Sequence, residues 1–86
     1  MKEYILVTGA SSGIGYEMAK QLATRDFNLL LVARSEDKLQ KLQKELTVQH
    51  YIEVEYFLYD LSEPNSAQDL YNHIIKKNYL VTGLIN

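Results

Sequence analysis

The sequence predicts an α/β fold built on a parallel, doubly wound sheet. Three observations carry that expectation. Short apolar runs alternate with helical stretches in the order β-α-β-α-β-α-β. The runs at residues 4–7 (Tyr-Ile-Leu-Val) and 29–33 (Leu-Leu-Leu-Val-Ala) are apolar throughout, as strands covered on both faces are. A glycine-rich turn, Thr8-Gly9-Ala10-Ser11-Ser12-Gly13-Ile14-Gly15, lies between the first run and the first helix. Strands alternating with helices of this length imply right-handed crossovers and a parallel sheet.

The elements follow in order. After the first strand, Ile14, Met18 and Leu22 recur at four-residue spacing with Ala19 and Ala23 beside them, which predicts an amphipathic helix. The second strand ends at Ala33. Ser35 then stands at an N-cap position, with Glu36 and Asp37 in the first turn, where the helix dipole favours anions. Leu39, Leu42 and Leu46 mark the inner face of that second helix. Ile52, Val54, Tyr56 and Leu58 alternate with Glu53, Glu55 and Phe57 and predict a third strand. A third helix is expected to start near Ser62-Glu63-Pro64, since proline suits a first helical turn, and to bury Ala67, Leu70 or Tyr71, and Ile74. Residues 80–86 predict a fourth strand.

Composition narrows the function classes. With 86 residues the chain is expected to form one domain, residues 1–86, and a unit so small is marginally stable alone. A hydrophobic fraction of 47% against 23% charged residues argues for a folded chain. The absence of cysteine excludes disulfides, thiolate catalysis and cysteine-ligated metals, and a reducing cytoplasm is the expected home. No apolar run approaches the roughly 20 residues of a membrane span, so no membrane is expected. Met1-Lys2-Glu3 leads straight into the first strand rather than reading as a signal peptide. A net charge of −2 gives no reason to expect nucleic acid.

The glycine turn carries the functional reading. One glycine makes the tight turn off the strand, one lets the backbone approach a pyrophosphate, and one lets the helix pack closely on the sheet. The helix N-terminus then offers free N–H groups and partial positive charge to phosphates. The GxxxGxG spacing is a weak signal alone and a strong one between a strand and a helix of a βαβ unit. A phosphate-binding P-loop is excluded, because no Lys-Ser or Lys-Thr pair follows the glycines. Gly9, Ser11, Ser12, Gly13, Ile14 and Gly15 are therefore candidate dinucleotide contacts. Choice of cofactor is read at the end of the second strand. A fold that prefers NAD places an acid there for the ribose 2′-OH. Here Arg34 stands 19 residues after Gly15. A guanidinium attracts a 2′-phosphate that a carboxylate would repel, and Ser35 and Lys38 add a hydroxyl and a second charge. The expected cofactor is NADP(H). A solvated surface arginine is the competing reading.

These residues resemble the short-chain dehydrogenase/reductase family along the whole chain. Residues 8–15 look like its cofactor motif, and Leu31-Val32-Ala33-Arg34 resembles its NADP-preferring form. Asp60-Leu61 resembles the family's Asp-Leu step after the third strand, which implies a contact with the adenine ring; a strand-end or helix-capping role for Asp60 competes with it. Leu84-Ile85-Asn86 looks like the lead-in to the Asn-Asn-Ala-Gly element. The resemblance implies a Rossmann-type fold of which these residues form the cofactor-binding part, roughly a third. It also implies a catalytic Ser, Tyr and Lys set, the last two as Tyr-x-x-x-Lys, beyond residue 86, so the 86-residue chain alone is expected to be inactive.

Tyr16-Glu17-Met18-Ala19-Lys20 matches Tyr-x-x-x-Lys in letters. It sits on the helix whose N-terminus faces the pyrophosphate, so it is read as an ordinary i, i+4 pair. His50 and His73 offer no metal spacing and are read as solvated or capping. The tyrosines are read as packing residues. Two functions remain open. One is the NADP(H)-binding part of an oxidoreductase; the other is a small non-catalytic NADP(H)-binding module that works through a partner chain. In the strand order 3-2-1-4 that the resemblance implies, the apolar fourth strand lies at an edge, which predicts either self-association through it or further residues that cover it. Ile5, Val7, Leu30 or Val32 are expected to be partly wet on the face the third helix must cover alone.

Overall fold

The structure, a computed structural model, describes residues 2–86. Seven elements follow the expected order: β1 (Glu3–Thr8), α1 (Gly13–Thr24), β2 (Asn28–Ala33), α2 (Glu36–Gln49), β3 (Val54–Leu58), α3 (Ser66–Lys76) and β4 (Leu80–Ile85). The strands form one sheet in the order β3-β2-β1-β4, and every pair is parallel. Val7 lies opposite Leu31 on β2 and opposite Ile85 on β4. This register brings the C-terminal ends of the strands to one edge, where the glycine turn leaves β1.

The two faces of the sheet are packed differently. On one, α1 and α2 supply Ala19, Ala23, Leu39, Leu42 and Leu46 to cover Val7, Leu29, Leu31 and Val54. On the other, α3 contributes Leu70 and Ile74, which join Tyr4, Leu30, Val32 and Phe57, with Tyr59 and Tyr79 packed alongside. Tyr79 meets the ring of Tyr4 edge-on at 5.0 Å and that of Phe57 at 6.1 Å. One expectation is corrected by both layers: α1 and α2 cover Val7, and the aromatic rings with α3 cover Leu30 and Val32. Val7, Leu30 and Val32 are fully buried, and of the four residues expected to be wet only Ile5 is half-exposed. The rings thicken the layer that α3 alone would leave thin. Within the strands, the exposed large apolar side chains are Leu58 of β3 and Leu80 and Leu84 of β4.

Helix ends follow local chemistry. Ser35 caps α2, its Oγ accepting from the backbone N–H of Lys38, with Glu36 and Asp37 in the first turn. The chain leaves α1 and α3 alike. Asp26 (φ 65°) and Asn78 (φ 61°) adopt left-handed backbone, and the next residues, Phe27 and Tyr79, donate back to Leu22 and Ile74.

Two helices differ from the sequence expectation. The buried face of α1 is Ala19 and Ala23; Met18 and Leu22 are half-buried and Ile14 is exposed. The helix lies too close to the sheet for large side chains beneath it. α3 begins at Ser66, not near Ser62-Glu63-Pro64, and buries Ser66, Leu70 and Ile74 while Ala67 and Tyr71 stay exposed. The Asp60 carboxylate accepts from the backbone N–H of Ser62, and Asn65 is left-handed (φ 67°), so residues 61–65 form turns that delay the helix.

Candidate functional site

A cavity of about 330 Å³ opens where the C-terminal ends of the strands meet. Three segments and the last residue line it. Thr8, Gly9, Ser11 and Ser12 come from the turn after β1. Val32, Ala33 and Arg34 come from the end of β2, and Tyr59, Asp60 and Leu61 follow β3. Asn86 completes the wall. The topology explains the convergence, because β1 is central and its turn is flanked by the ends of β2 and β4.

Each glycine of the turn has a separate physical role. Gly9 (φ 64°) and Gly13 (φ 60°) adopt left-handed backbone that L side chains rarely enter, and a Cβ on either would meet nothing within 4 Å. The space beside both is open to a ligand. Gly15 is different. A Cβ there would lie 2.3 Å from the carbonyl oxygen of Gly9 and 2.9 Å from that of Thr8. Gly15 is thus the position where α1 touches the strand-turn backbone, and it accounts for the alanine face of that helix. Ser12 is the N-cap of α1, yet its side chain makes no capping hydrogen bond, and the first turn holds no acid. Ala10 N–H donates to the Val32 carbonyl, and the Ser12 hydroxyl and the first backbone N–H groups of α1 remain as donors for an anion.

The opposite wall is charged. Arg34 Nη1 lies 3.9 Å from Asp60 Oδ2. The other carboxylate oxygen, Oδ1, accepts from Ser62 N at 3.0 Å and from Ser62 Oγ at 2.5 Å. Those two hydrogen bonds, with a smaller contribution from Arg34, hold the Asp60 carboxyl below the usual carboxylate range. Asp60 therefore does have the local turn role, and it also faces the cavity. At the other end, Thr8 Oγ1 lies 2.8 Å from Asn86 Oδ1 and donates there.

Of the residues singled out from sequence, Gly9, Ser11, Ser12, Arg34, Asp60, Leu61 and Asn86 line this one cavity. Gly13, Ile14 and Gly15 form the adjoining first turn of α1, with Ile14 exposed. Ser35, the N-cap of α2, and Lys38 in its first turn lie outside the lining. Sequence reasoning gave no separate role to Thr8, although it opens the quoted motif. It also missed Tyr59, whose place depends on where β3 ends.

The remaining candidates resolve into packing. Lys20 Nζ sits 5.0 Å from the centre of the Tyr16 ring, and that ring packs against the α1/α2 core. Tyr16 and Lys20 are thus a cation–π pair on the helix. His50 is the C-cap residue of α2, its N–H bonded to the carbonyl of Leu46. His73 is less solvated than expected: its Nδ1 lies 3.2 Å from the Tyr59 hydroxyl and its ring stacks edge-on against Phe57. Among the described residues no group of three or more His, Cys, Asp or Glu is placed to hold a metal, and no helix is long and apolar enough to cross a membrane.

Comparison with known proteins agrees with this geometry. A family model described as short chain dehydrogenase matches residues 3–86. The very-long-chain 3-oxoacyl-CoA reductase of Kluyveromyces lactis is 43% identical over 83 residues, which is 96% of this chain and 24% of that protein. An alcohol dehydrogenase from the archaeon Thermococcus sibiricus, solved in complex with 5-hydroxy-NADP, superposes with a TM-score of 0.87 at 32% identity over 98% of this chain and 36% of that one. A short-chain dehydrogenase from Sphingobium yanoikuyae in complex with NADPH gives 0.80 at 32% identity over 91% of this chain and 31% of that one. The chain thus spans about a quarter of the length of the curated relative it matches. With the family model matched along nearly its whole length, the chain belongs to the short-chain dehydrogenase family.

Proposed function

We propose that these residues form the NADP(H)-binding part of an oxidoreductase that moves hydride between a nicotinamide and a carbonyl or alcohol carbon. The observation that carries the NADP(H) reading is Arg34. It stands where an NAD-preferring site has an acid, and it lines the same cavity as Gly9, Ser11 and Ser12. The residues fit a dinucleotide. Open space beside Gly9 and Gly13 accommodates a pyrophosphate, and the uncapped turn at Ser12, Gly13, Ile14 and Gly15 supplies donors to it. Arg34 would hold the 2′-phosphate, with Lys38 and Ser35 close by on α2; the Ser35 oxygen accepts from Lys38 N and keeps its own hydrogen to donate. Asp60 and Leu61 would flank the adenine, and Asn86 with Thr8 closes the far end of the cavity. When bound, the nicotinamide supplies the hydride; this chain's residues bind and orient it.

The relatives named very-long-chain 3-oxoacyl-CoA reductases support a 3-oxoacyl thioester as substrate for the whole protein. We also propose that the outer edge of β4 pairs with a second copy of the chain. Calorimetry tests the cofactor reading. If Arg34 grips the 2′-phosphate, 2′,5′-ADP is expected to bind tighter than 5′-AMP by about 1.5–3 kcal/mol. Arg34→Ala is expected to erase that difference. Equal affinity of the wild type for both ligands overturns the NADP(H) assignment.

A further inference from the structure

We infer that Asp60 restrains Arg34 and so lowers the chain's discrimination in favour of 2′-phosphorylated nucleotides. The inference deepens the NADP(H) reading and rests on it. Its basis is the division of labour within one carboxylate. Oδ1 is tied down twice by Ser62, once through the backbone N–H and once through the hydroxyl. The carboxylate is therefore fixed in orientation by its own turn, and its second oxygen points across the cavity to the Arg34 guanidinium, 3.9 Å away. Arg34 has no comparable support. Its side chain is 79% exposed against 33% for Asp60, and the carboxylate is its one ion-pair partner among the described residues. The anchored member of the pair is the acid, and the base is the member that must move.

A guanidinium that grips a 2′-phosphate bidentately commits its planar fork to that anion. Any part of the fork drawn toward Asp60 is withdrawn from the phosphate. The ion pair is exposed and its atoms are 3.9 Å apart, so the effect is small, within the range of surface pairs. It is still measurable, because it acts on one ligand and not on the other. 5′-AMP lacks the phosphate that competes for Arg34. Any contact between Asp60 and the adenine is common to both ligands and cancels in the ratio of their affinities.

The experiment is a double-mutant cycle on that ratio. Binding of 2′,5′-ADP and of 5′-AMP is measured by calorimetry at low ionic strength, where the pair is least screened. The chains compared are the wild type, Asp60→Asn, Arg34→Ala and the double variant. Asparagine keeps an oxygen to accept from Ser62 and so preserves the turn; Asp60→Ser replaces it if circular dichroism shows the Asn variant unfolded. Asp60→Asn is expected to raise the ratio about two- to fivefold. With Arg34 already replaced, the same change is expected to leave the ratio where it was. A wild-type ratio that depends on Arg34 but does not rise in Asp60→Asn overturns the restraint while leaving the NADP(H) reading standing. A rise of equal size in both backgrounds also overturns it, since that pattern is direct repulsion between Asp60 and the phosphate. A wild-type ratio of one removes the NADP(H) reading and this inference with it.

Discussion

At the scale of single residues, the glycine turn separates two demands that a motif merges. Gly13 answers to its own backbone angle; Gly15 answers to the packing of α1 on the strand-turn backbone. A Cβ at Gly15 would meet only backbone, at 2.3–2.9 Å, and backbone cannot rotate aside as a side chain does. Gly15→Ala is therefore expected to destabilise the fold by about 3 kcal/mol, the upper end of overpacking costs. In Gly13→Val the side chain enters open space but sits on left-handed backbone (φ 60°), which costs about 1–2 kcal/mol, so nucleotide binding is expected to be lost with a smaller loss of stability than in Gly15→Ala. Circular dichroism and a binding titration on the two variants separate these outcomes; a Gly15→Ala chain that melts at the wild-type temperature defeats the packing assignment. The tight turn at Gly9 and the close packing at Gly15 were legible in the sequence because they follow from spacing between a strand and a helix. Ile14 was not. Its place in an i, i+4 series with Met18 and Leu22 suggested the buried face, but a helix held this close to the sheet has room beneath it only for alanine.

At the scale of elements, what the sequence hid was governed by side-chain hydrogen bonds, some local and some between distant segments. The start of α3 moved because Asp60 bonds Ser62 locally, a competition that helical periodicity does not record. The lower end of β1 is another case. The Tyr4 hydroxyl donates to Glu53 Oε2 at 2.7 Å, and Lys2 pairs with the other oxygen of the same carboxylate, tying β1 to the segment that leads into β3. Burial first, and the Glu53 carboxylate second, push the Tyr4 phenol well above its ordinary 10.0. The hydrogen bonds from Lys2 and Tyr4 hold Glu53 below its ordinary 4.5. The two shifts set opposite limbs of the stability profile. The unfolded chain gives up the Tyr4 proton first, so that contribution is whole below pH 10 and is lost as pH rises above it. The unfolded chain takes up the Glu53 proton first, so that contribution is whole above pH 4.5 and is lost as pH falls through the lowered value. Tyr4→Phe is expected to flatten the alkaline limb of a melting-temperature series. A residual slope from Tyr79 remains, since burial raises that phenol as well. An alkaline limb unchanged by Tyr4→Phe contradicts the assignment.

At the scale of the whole molecule, the strand order followed from the family resemblance that the turn motif carries, while the parallel sheet was readable because apolar runs alternate with helices and crossovers are right-handed. The distribution of exposed apolar surface was not, because it depends on how far the Tyr4, Phe57 and Tyr79 rings extend the cover given by α3. The sheet's two edges differ as a result. On the β3 side, Gln43 Nε2 of α2 donates to the Val54 carbonyl at 2.6 Å, so a side chain already occupies part of the edge. The β4 side, Leu80-Val81-Thr82-Gly83-Leu84-Ile85, carries no charge and no proline, the devices that keep an edge from pairing. Leu84 is 59% exposed and borders an apolar groove with Leu6, Leu61, Leu70 and Ile74. Among the described residues β4 is an edge strand; a strand added there would satisfy its outer backbone groups and a side chain beside it would fill the groove, which is the basis for proposing a second copy there. Sedimentation velocity over a hundredfold range of concentration is expected to show a concentration-dependent dimer. Leu84→Lys puts a charge on the edge at a site where little buried area is lost, so it is expected to weaken association at least about tenfold while leaving the melting temperature within a few degrees. Hydrogen exchange supplies the local readout: β4 amides protected at high concentration and released in Leu84→Lys place the contact on that edge. A wild-type chain that stays monomeric throughout, with β4 amides equally exposed at every concentration, means that this sheet tolerates an open apolar edge.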